Sequence, residues 1–170
     1  MVLIVSPLRR LPEVIAARGP SHLVSLLPPE EMIGTPLSFP PERHLRLEMH
    51  DISAPMAGLI APDAAMVQEI LAFGRGWDAA APMLIHCFAG VSRSTATALA
   101  IACARDPQAD ELEIALAMRR ASPSAFPNRR IVALADDILG RQGRMVEAVE
   151  AMGGNAFVAE GVPFDLAVRR

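Results

Sequence analysis

The stretch HCFAGVSRS, residues His86–Ser94, decides the fold of this chain. It separates the apolar run PMLI, residues 82–85, from the alanine-rich run TATALAIACA, residues 95–104. The short apolar run is typical of a buried strand, and the longer alanine-rich run is typical of a helix. The stretch is therefore predicted to be the loop between a strand and a helix, with Cys87 near the end of the strand and Arg93 near the start of the helix.

The alternation of short β-rich runs with helical patterns continues on both sides of this loop. It predicts an α/β fold in a single domain, with a mostly parallel central sheet of about four or five strands flanked by helices. The predicted strands are Val2–Val5, His22–Leu27, His44–Met49 and Met83–His86. The predicted helices are Pro12–Arg18, Pro62–Phe73 ending at Gly74, Ser92–Ala104, Asp110–Arg120, Asn128–Leu139 ending at Gly140, and Arg144–Met152. The domain is predicted to span residues 1–154, and the tail, residues 155–170, to dock on it, contact a second copy or fray.

Composition and charge exclude several classes of protein. A content of 52% hydrophobic residues indicates a globular chain rather than a disordered one. The formal net charge of −3 gives no basis for a nucleic-acid or anionic-membrane surface. No apolar run approaches the ~20 residues that span a bilayer, and the basic pair Arg9 and Arg10 follows the first apolar run, the reverse of a secretory signal. We therefore expect a cytoplasmic protein with no nucleic-acid and no membrane partner, and the sequence indicates no oligomeric state.

The two cysteines are predicted to differ in role. Two are too few for a disulfide framework, so Cys87 and Cys103 are expected to be free thiols in a reducing compartment. Cys103 falls within the predicted Ser92–Ala104 helix, where a free cysteine most often belongs to the core. Cys87, by contrast, lies in a loop whose other residues point to chemistry.

The predicted loop has the residues of an anion site built around a nucleophile. A loop that leads into a helix N-terminus directs backbone N–H groups to one point and adds partial positive charge. Gly90 supplies the backbone freedom that a curled loop needs, and the planar guanidinium of Arg93 can bind two oxygens of a tetrahedral anion. The same field favours the thiolate form of Cys87. The predicted phosphate-binding residues are Phe88, Ala89, Gly90, Val91, Ser92 and Arg93.

Side chains outside the loop are expected to complete the site. Ser94 could donate a hydrogen bond to the Cys87 sulfur, and His86 could tie the end of the strand to the loop backbone. Because the carboxyl ends of parallel strands share one edge of a sheet, Asp51, just after the third strand, is expected to line a crevice with Cys87. Asp63 is a rival, although its position after Pro62 favours a place in the first turn of a helix.

The motif HCFAGVSRS resembles the signature of the cysteine-dependent protein phosphatases, and its SRS ending is similar to that of the dual-specificity branch. The segment RRASPSAFPN, residues 119–128, is similar to the proline–asparagine segment of the same branch, and most of residues 1–140 suits it. The resemblance implies a phosphatase-like fold, with Asp51 as the general acid. It also implies that Asn128 braces the phosphate-binding loop, although a helix N-cap explains Asn128 equally well.

The sequence therefore predicts a phosphoric monoester hydrolase with a phosphocysteine intermediate, of protein-tyrosine or dual-specificity type. Cys87 would attack phosphorus, Arg93 and the loop amides would hold the oxygens, and Asp51 would protonate the leaving oxygen. No metal and no cofactor are expected, and the partner would be a phosphorylated protein or a small phosphomonoester. Alanine and arginine usage is typical of a bacterial protein. Two alternatives stay open: a sulfurtransferase or other thiolate-loop enzyme, and a catalytically inactive phosphate-binding module.

Several polar residues near the motif also have purely structural alternatives. Asp51 could cap its own loop, and His50 beside it could act as a base or bond within the loop. Four arginines could either rim the pocket and attract phosphate or be solvated at helix ends. They are Arg119, Arg120, Arg129 and Arg130.

Overall fold

Five strands form one sheet in the residues, 1–168, that this computed structural model describes. They are β1 (Val2–Pro7), β2 (His22–Leu27), β3 (His44–Glu48), β4 (Met83–Cys87) and β5 (Phe164–Ala167). Their order across the sheet is β3-β2-β4-β1-β5. The first four strands are parallel, and only β5 runs antiparallel to its neighbour β1. The carboxyl ends of β3 and β4 therefore meet at the same edge of the sheet.

Six α-helices flank the sheet within the same described residues. They are α1 (Leu11–Arg18), α2 (Ala64–Gly76), α3 (Arg93–Arg105), α4 (Glu111–Ala121), α5 (Arg129–Leu139) and α6 (Arg144–Ala151). The prediction of a single α/β domain with a mostly parallel sheet is confirmed. Across residues 1–168 no helix has both the length and the apolar character that crossing a bilayer requires.

The two faces of the sheet carry separate apolar clusters, because successive strand residues point to opposite sides. The smaller cluster joins α1 to one face, where Leu11 and Val14 pack on Ile4, Leu23 and Leu84. The larger cluster covers the opposite face and includes residues of α2, α3, α4, α5 and α6. Helix α3 lies at its centre and is buried along residues 93–103. The loop before α3 is thus attached to a helix that is buried along most of its length.

One predicted helix end is wrong. Gly74 was expected to end the second helix, since glycine often follows the last helical turn, but α2 continues to Gly76. A Cβ at Gly74 would lie 2.9 Å from the Ile101 side chain of α3. The glycine is therefore required by the close approach of two helices and not by a helix end, a distinction that local sequence does not carry.

The tail docks on the domain through β5. This strand pairs with β1, placing Val2 opposite Ala167. Arg18 of α1 holds it as well, since its guanidinium donates two hydrogen bonds to the Asp165 carboxylate at 2.9 and 2.7 Å. Docking was one of the three outcomes that the sequence left open. Residues 155–163, called here the tail segment, precede β5 without helix or strand, and residues 169 and 170 lie outside the described residues.

Candidate active site

The loop between β4 and α3, called here the Cys87 loop (residues 87–93), is pressed against the end of β1. Gly90 in its middle has φ +70°, a left-handed conformation that favours glycine. A Cβ at this position would lie 2.6 Å from the Pro7 nitrogen and 2.8 Å from the Ser6 carbonyl carbon. Glycine is therefore required twice at this position, for its backbone angle and for the space that β1 leaves.

The backbone carbonyls and the backbone amides of the Cys87 loop differ in their hydrogen bonding. Four of its carbonyls accept backbone hydrogen bonds: Leu8 N donates to Phe88 O (3.1 Å), Gly161 N to Ala89 O (2.8 Å), Phe126 N to Val91 O (2.8 Å) and Asn128 N to Ser92 O (3.2 Å). The amides of residues 88–93 donate no hydrogen bond to any part of residues 1–168. A curled loop whose amides are unpaired is able to bind an anion through its N–H groups.

Cys87 and Ser94 lie together beneath the loop. The Cys87 sulfur is 3.2 Å from Ser94 Oγ, within hydrogen-bond distance for sulfur. Cys87 is only 2% exposed and Ser94 is fully buried. Access to the sulfur is therefore restricted, and the hydroxyl of Ser94 is available to stabilise negative charge on it.

Arg93 points from the start of α3 towards the end of β3. Its Nη1 donates to the Met49 carbonyl at 2.8 Å, and the residue is 5% exposed. Its Nε is buried and has no hydrogen-bond partner within residues 1–168. A buried unpaired donor is costly, and an oxyanion bound at the loop would supply the missing acceptor.

Asp51 lies against the Cys87 loop, where it contacts Ser92. Ser92 Oγ donates to Asp51 Oδ1 at 2.8 Å, and Asn128 Nδ2 donates to the same oxygen at 2.9 Å. Its other oxygen, Oδ2, has no hydrogen-bond partner in the part of the chain that the structure describes. Two donors thus fix the orientation of the carboxyl group and leave one oxygen free to hold or accept a proton.

The rival residues Asp63 and His50 have local structural contacts. Asp63 Oδ1 accepts a hydrogen bond from Met66 N at 2.9 Å and caps α2. His50 Nδ1 accepts from Ile60 N at 2.9 Å, which fastens the connection between β3 and α2. Of the two carboxylates considered from the sequence, Asp51 is the one that contacts the Cys87 loop.

Asn128 has the N-cap role, one of the two that the sequence left open, and its side chain also contacts Asp51. Its Oδ1 accepts hydrogen bonds from Arg130 N and Ile131 N, both at 3.1 Å, and caps α5. Its Nδ2 donates to Asp51 Oδ1 and, at 3.4 Å, to the Ile52 carbonyl. Because one side chain is shared between cap and carboxylate, the position of Asp51 depends on where α5 begins.

A chain of buried hydrogen bonds crosses the sheet behind Cys87. His86 Nδ1 lies 3.4 Å from the Cys87 carbonyl, and its Nε2 lies 2.6 Å from Ser25 Oγ on β2. Ser25 Oγ is also 2.8 Å from His44 Nε2 on β3, and His44 Nδ1 is 2.9 Å from Thr35 Oγ1. The chain therefore links a loop residue, through three adjacent strands, to the backbone of Cys87.

The Cys87 carbonyl, at one end of this chain of hydrogen bonds, determines which atom donates and which accepts in each of them. Since the Cys87 carbonyl can only accept, His86 carries its proton on Nδ1 and accepts at Nε2 from the Ser25 hydroxyl. Ser25 in turn accepts from His44 Nε2–H, and His44 Nδ1 accepts from the Thr35 hydroxyl. Burial lowers the pKa of both His86 and His44 to about 4, so both rings are neutral near pH 7, as this arrangement requires. Aligned hydrogen bonds of this kind strengthen one another.

Among the residues of this chain of hydrogen bonds, only His86 was a candidate from the sequence. The sequence signal for the other members was a serine within the mostly apolar run HLVSLL and the histidine that starts HLRLEM. Polar residues on a strand interior need partners, but which partners they find depends on strand order. That order, with β2 between β3 and β4, is not written in any one segment.

The remaining candidates are distributed around the site. Arg119 and Arg130 donate to the backbone carbonyls of Pro123 and Pro62, at 2.6 and 2.5 Å. Arg120 lines a different cavity, and Arg129 lines the groove that contains Asp51. This groove, the Asp51 groove, has a volume of about 420 Å³ and runs between the Cys87 loop and the tail segment.

Cys103 is buried in α3, and burial raises the pKa of its thiol to about 12. Such a thiol stays protonated and unreactive near neutral pH, in keeping with its predicted place in the core. Cys87 is therefore the cysteine to consider as a nucleophile.

Comparison with known proteins adds no family name to this geometry. No family model matches the chain, and no curated protein is similar to it by sequence. What the protein does must therefore be inferred from the contacts around Cys87.

Proposed function

We propose that the protein is a phosphoric monoester hydrolase that forms a phosphocysteine intermediate, of the protein-tyrosine or dual-specificity type. One observation carries the proposal: the buried thiol of Cys87 lies within a loop whose amides are unpaired, next to an Arg93 guanidinium with an unpaired buried Nε. Such an arrangement suits a dianion with several oxygens, because each unpaired donor gains an acceptor.

In the first step the Cys87 thiolate attacks phosphorus, forming the S–P bond while the P–O bond to the leaving group breaks. The loop amides and Arg93 hold the other phosphoryl oxygens, on which charge is spread in the transition state. Asp51 gives its proton to the leaving oxygen, which contributes typically ~10²–10⁴-fold. The unpaired Oδ2 is the oxygen suited to carry that proton, since Oδ1 is held by Ser92 and Asn128.

In the second step Asp51, now ionised, takes a proton from a water molecule that attacks the phosphocysteine. The S–P bond breaks, inorganic phosphate leaves, and the sulfur regains its negative charge. Ser94, 3.2 Å from that sulfur, donates a hydrogen bond to the departing thiolate. His86 keeps the Cys87 carbonyl in place, so the sulfur returns to the same position.

The contacts of Asp51 favour this reaction over the alternatives. Sulfur transfer needs no proton donor beside a leaving oxygen, and an inactive phosphate-binding module needs no acid at all. Here a carboxyl group is fixed against the anion loop by two donors with one oxygen free. The substrate proposed is a phosphorylated protein or a small phosphomonoester, and the reactive thiol suits a reducing compartment such as the cytoplasm.

The proposal predicts hydrolysis of a simple aryl phosphate in the presence of a metal chelator, because the thiol and not a metal supplies the nucleophile. Cys87→Ser should abolish turnover while leaving the thermal midpoint nearly unchanged. Cys103→Ala, the other cysteine, is the control and should keep activity. Rapid-quench mass spectrometry should detect a phosphoryl group on the peptide that contains Cys87.

Turnover that survives Cys87→Ser, or that disappears on chelation, would contradict the mechanism. A phosphoryl group found on another residue would do the same.

A further inference from the structure

The tail segment forms a wall of the proposed active site. Gly161 N donates to the Ala89 carbonyl of the Cys87 loop at 2.8 Å, and a Cβ at Gly161 would lie 3.3 Å from that same oxygen. At its other end, Ala156 N donates to the Pro123 carbonyl at 3.0 Å, in the connection between α4 and α5. The segment is therefore fastened on both sides of the Asp51 groove.

Aromatic side chains are concentrated at this groove. Of six phenylalanines in the chain, the exposed ones are Phe88, Phe126 and Phe157, with exposed fractions of 51%, 46% and 96%. Phe88 belongs to the Cys87 loop, whereas Phe126 and Phe157 line the Asp51 groove together with Val158. Exposed aromatic rings placed around a cavity provide apolar contact area for a ligand.

The position of Asp51 says which part of a substrate enters the groove. If Asp51 protonates the leaving oxygen, the group attached to that oxygen occupies the space next to the Asp51 carboxyl. That space is the Asp51 groove, which is lined by Asp51 and Ser92 of the proposed machinery. Its volume of about 420 Å³ is sufficient for an aromatic ring.

We infer, on the basis of the proposed function, that the tail segment determines specificity: the substrate is an aryl phosphomonoester whose ring packs against Phe157 and Phe126. Phe157 contributes to binding of the leaving group and takes no part in proton transfer or in holding the phosphoryl oxygens. Removal of its ring should therefore weaken recognition of aromatic leaving groups and leave the chemistry on other esters intact.

The test compares two phosphate esters in the full-length protein: a naphthyl phosphate, and a fluoroalkyl phosphate whose leaving alcohol is about as acidic as naphthol. Matching the acidity removes any difference in the demand for Asp51. Phe157→Ala should lower kcat/KM for the naphthyl ester roughly tenfold, mainly through KM, because an aromatic contact is lost. It should leave kcat/KM for the fluoroalkyl ester within about twofold.

Two further variants make the comparison specific. Val162→Ala removes an apolar side chain of the same segment that is 75% exposed and lies outside the groove lining. It should leave both esters unaffected. Phe157→Trp keeps an aromatic face and should restore the preference. Because the Phe157 side chain is exposed, the thermal midpoint of each variant should match that of the unaltered protein.

Equal losses on both esters, or no loss on the naphthyl ester, would overturn the inference while the proposed function stands. Failure of the unaltered protein to hydrolyse either ester would remove the proposed function and this inference with it.

Discussion

At the scale of single residues, the contacts of two aspartates separate a candidate acid from a helix cap. Asp51 accepts hydrogen bonds from Ser92 and Asn128 beside the Cys87 loop, whereas Asp63 accepts one from the backbone of its own helix. Both are exposed acidic residues in the same connection between β3 and α2. Kinetics with different leaving groups can therefore test the assignment, using one residue as the control for the other.

Asp51→Asn should slow hydrolysis of an ester with a poor leaving group by roughly 10²-fold or more, because an alkoxide requires a proton in the transition state. Hydrolysis of a nitrophenyl ester should slow much less, since that leaving group departs without protonation. Steady-state kcat/KM on both esters measures the difference, because it reports the steps up to phosphocysteine formation and not the later hydrolysis in which Asp51 also acts. Asp63→Asn should leave both rates unchanged, because asparagine caps a helix about as well as aspartate. The opposite pattern, with Asp63 sensitive and Asp51 silent, would move the acid away from the Cys87 loop.

At the scale of elements, the start of α5 is coupled to the proposed chemistry through one side chain. Asn128 caps the helix with its oxygen and holds Asp51 with its nitrogen. These two functions are separable, because serine is an equally good N-cap but lacks the amide nitrogen that reaches Asp51.

We therefore expect Asn128→Ser and Asn128→Ala to differ in stability and to agree in activity. The alanine variant loses the cap and should lose about 1 kcal/mol of the free energy of unfolding, whereas the serine variant should lose little. Both variants remove the hydrogen bond that holds Asp51, so both should lower kcat for an ester with a poor leaving group. Urea unfolding and kcat, measured on the same preparations, separate the two effects. Full activity in the serine variant would show that the Asn128–Asp51 contact has no catalytic role.

The elements that could be predicted from the sequence are those with local signals. The strand β2 and the starts of two helices follow from apolar runs and capping side chains. Asp110 and Asn128, expected at those helix starts, are the N-caps of α4 and α5, which begin at Glu111 and Arg129. The second helix was expected from Pro62, but α2 begins at Ala64 after Asp63 as its N-cap. The Cys87 loop was equally visible, because its glycine and arginine are needed within a few residues of one another. What could not be predicted depends on contacts between distant segments.

Three such features illustrate the limit. β5 is a four-residue strand whose partner β1 is at the other end of the chain. Gly74 was interpreted as a helix end because its contact with Ile101 of α3 has no local signature. Ser25 and His44 join the chain behind Cys87 only because β2 lies between β3 and β4.

At the scale of the whole molecule, the buried histidines make stability depend on pH. Burial lowers the pKa of His86 and His44 to about 4 and also lowers the pKa of His22. In the unfolded chain each would titrate near its ordinary value of 6.5. Between these pKa values the unfolded state binds more protons than the folded state. The contribution of the buried neutral histidines to the free energy of unfolding is therefore fully present above pH ~6.5 and is lost as the pH falls towards ~4.

The free energy of unfolding should therefore decrease steeply from pH 7 to pH 4.5, by about 1.4 kcal/mol per pH unit for each proton taken up. Urea unfolding at a series of pH values gives this slope directly. His44→Gln removes one titrating group while keeping an amide that can donate and accept, so its slope should be smaller by about one proton even if its stability at pH 7 is also lower. An unchanged slope in His44→Gln would mean that His44 titrates in the folded protein as it does in the unfolded chain. The neutral, one-directional chain from Thr35 to the Cys87 carbonyl would then be wrong, because a protonated His44 has no acceptor nitrogen for the Thr35 hydroxyl.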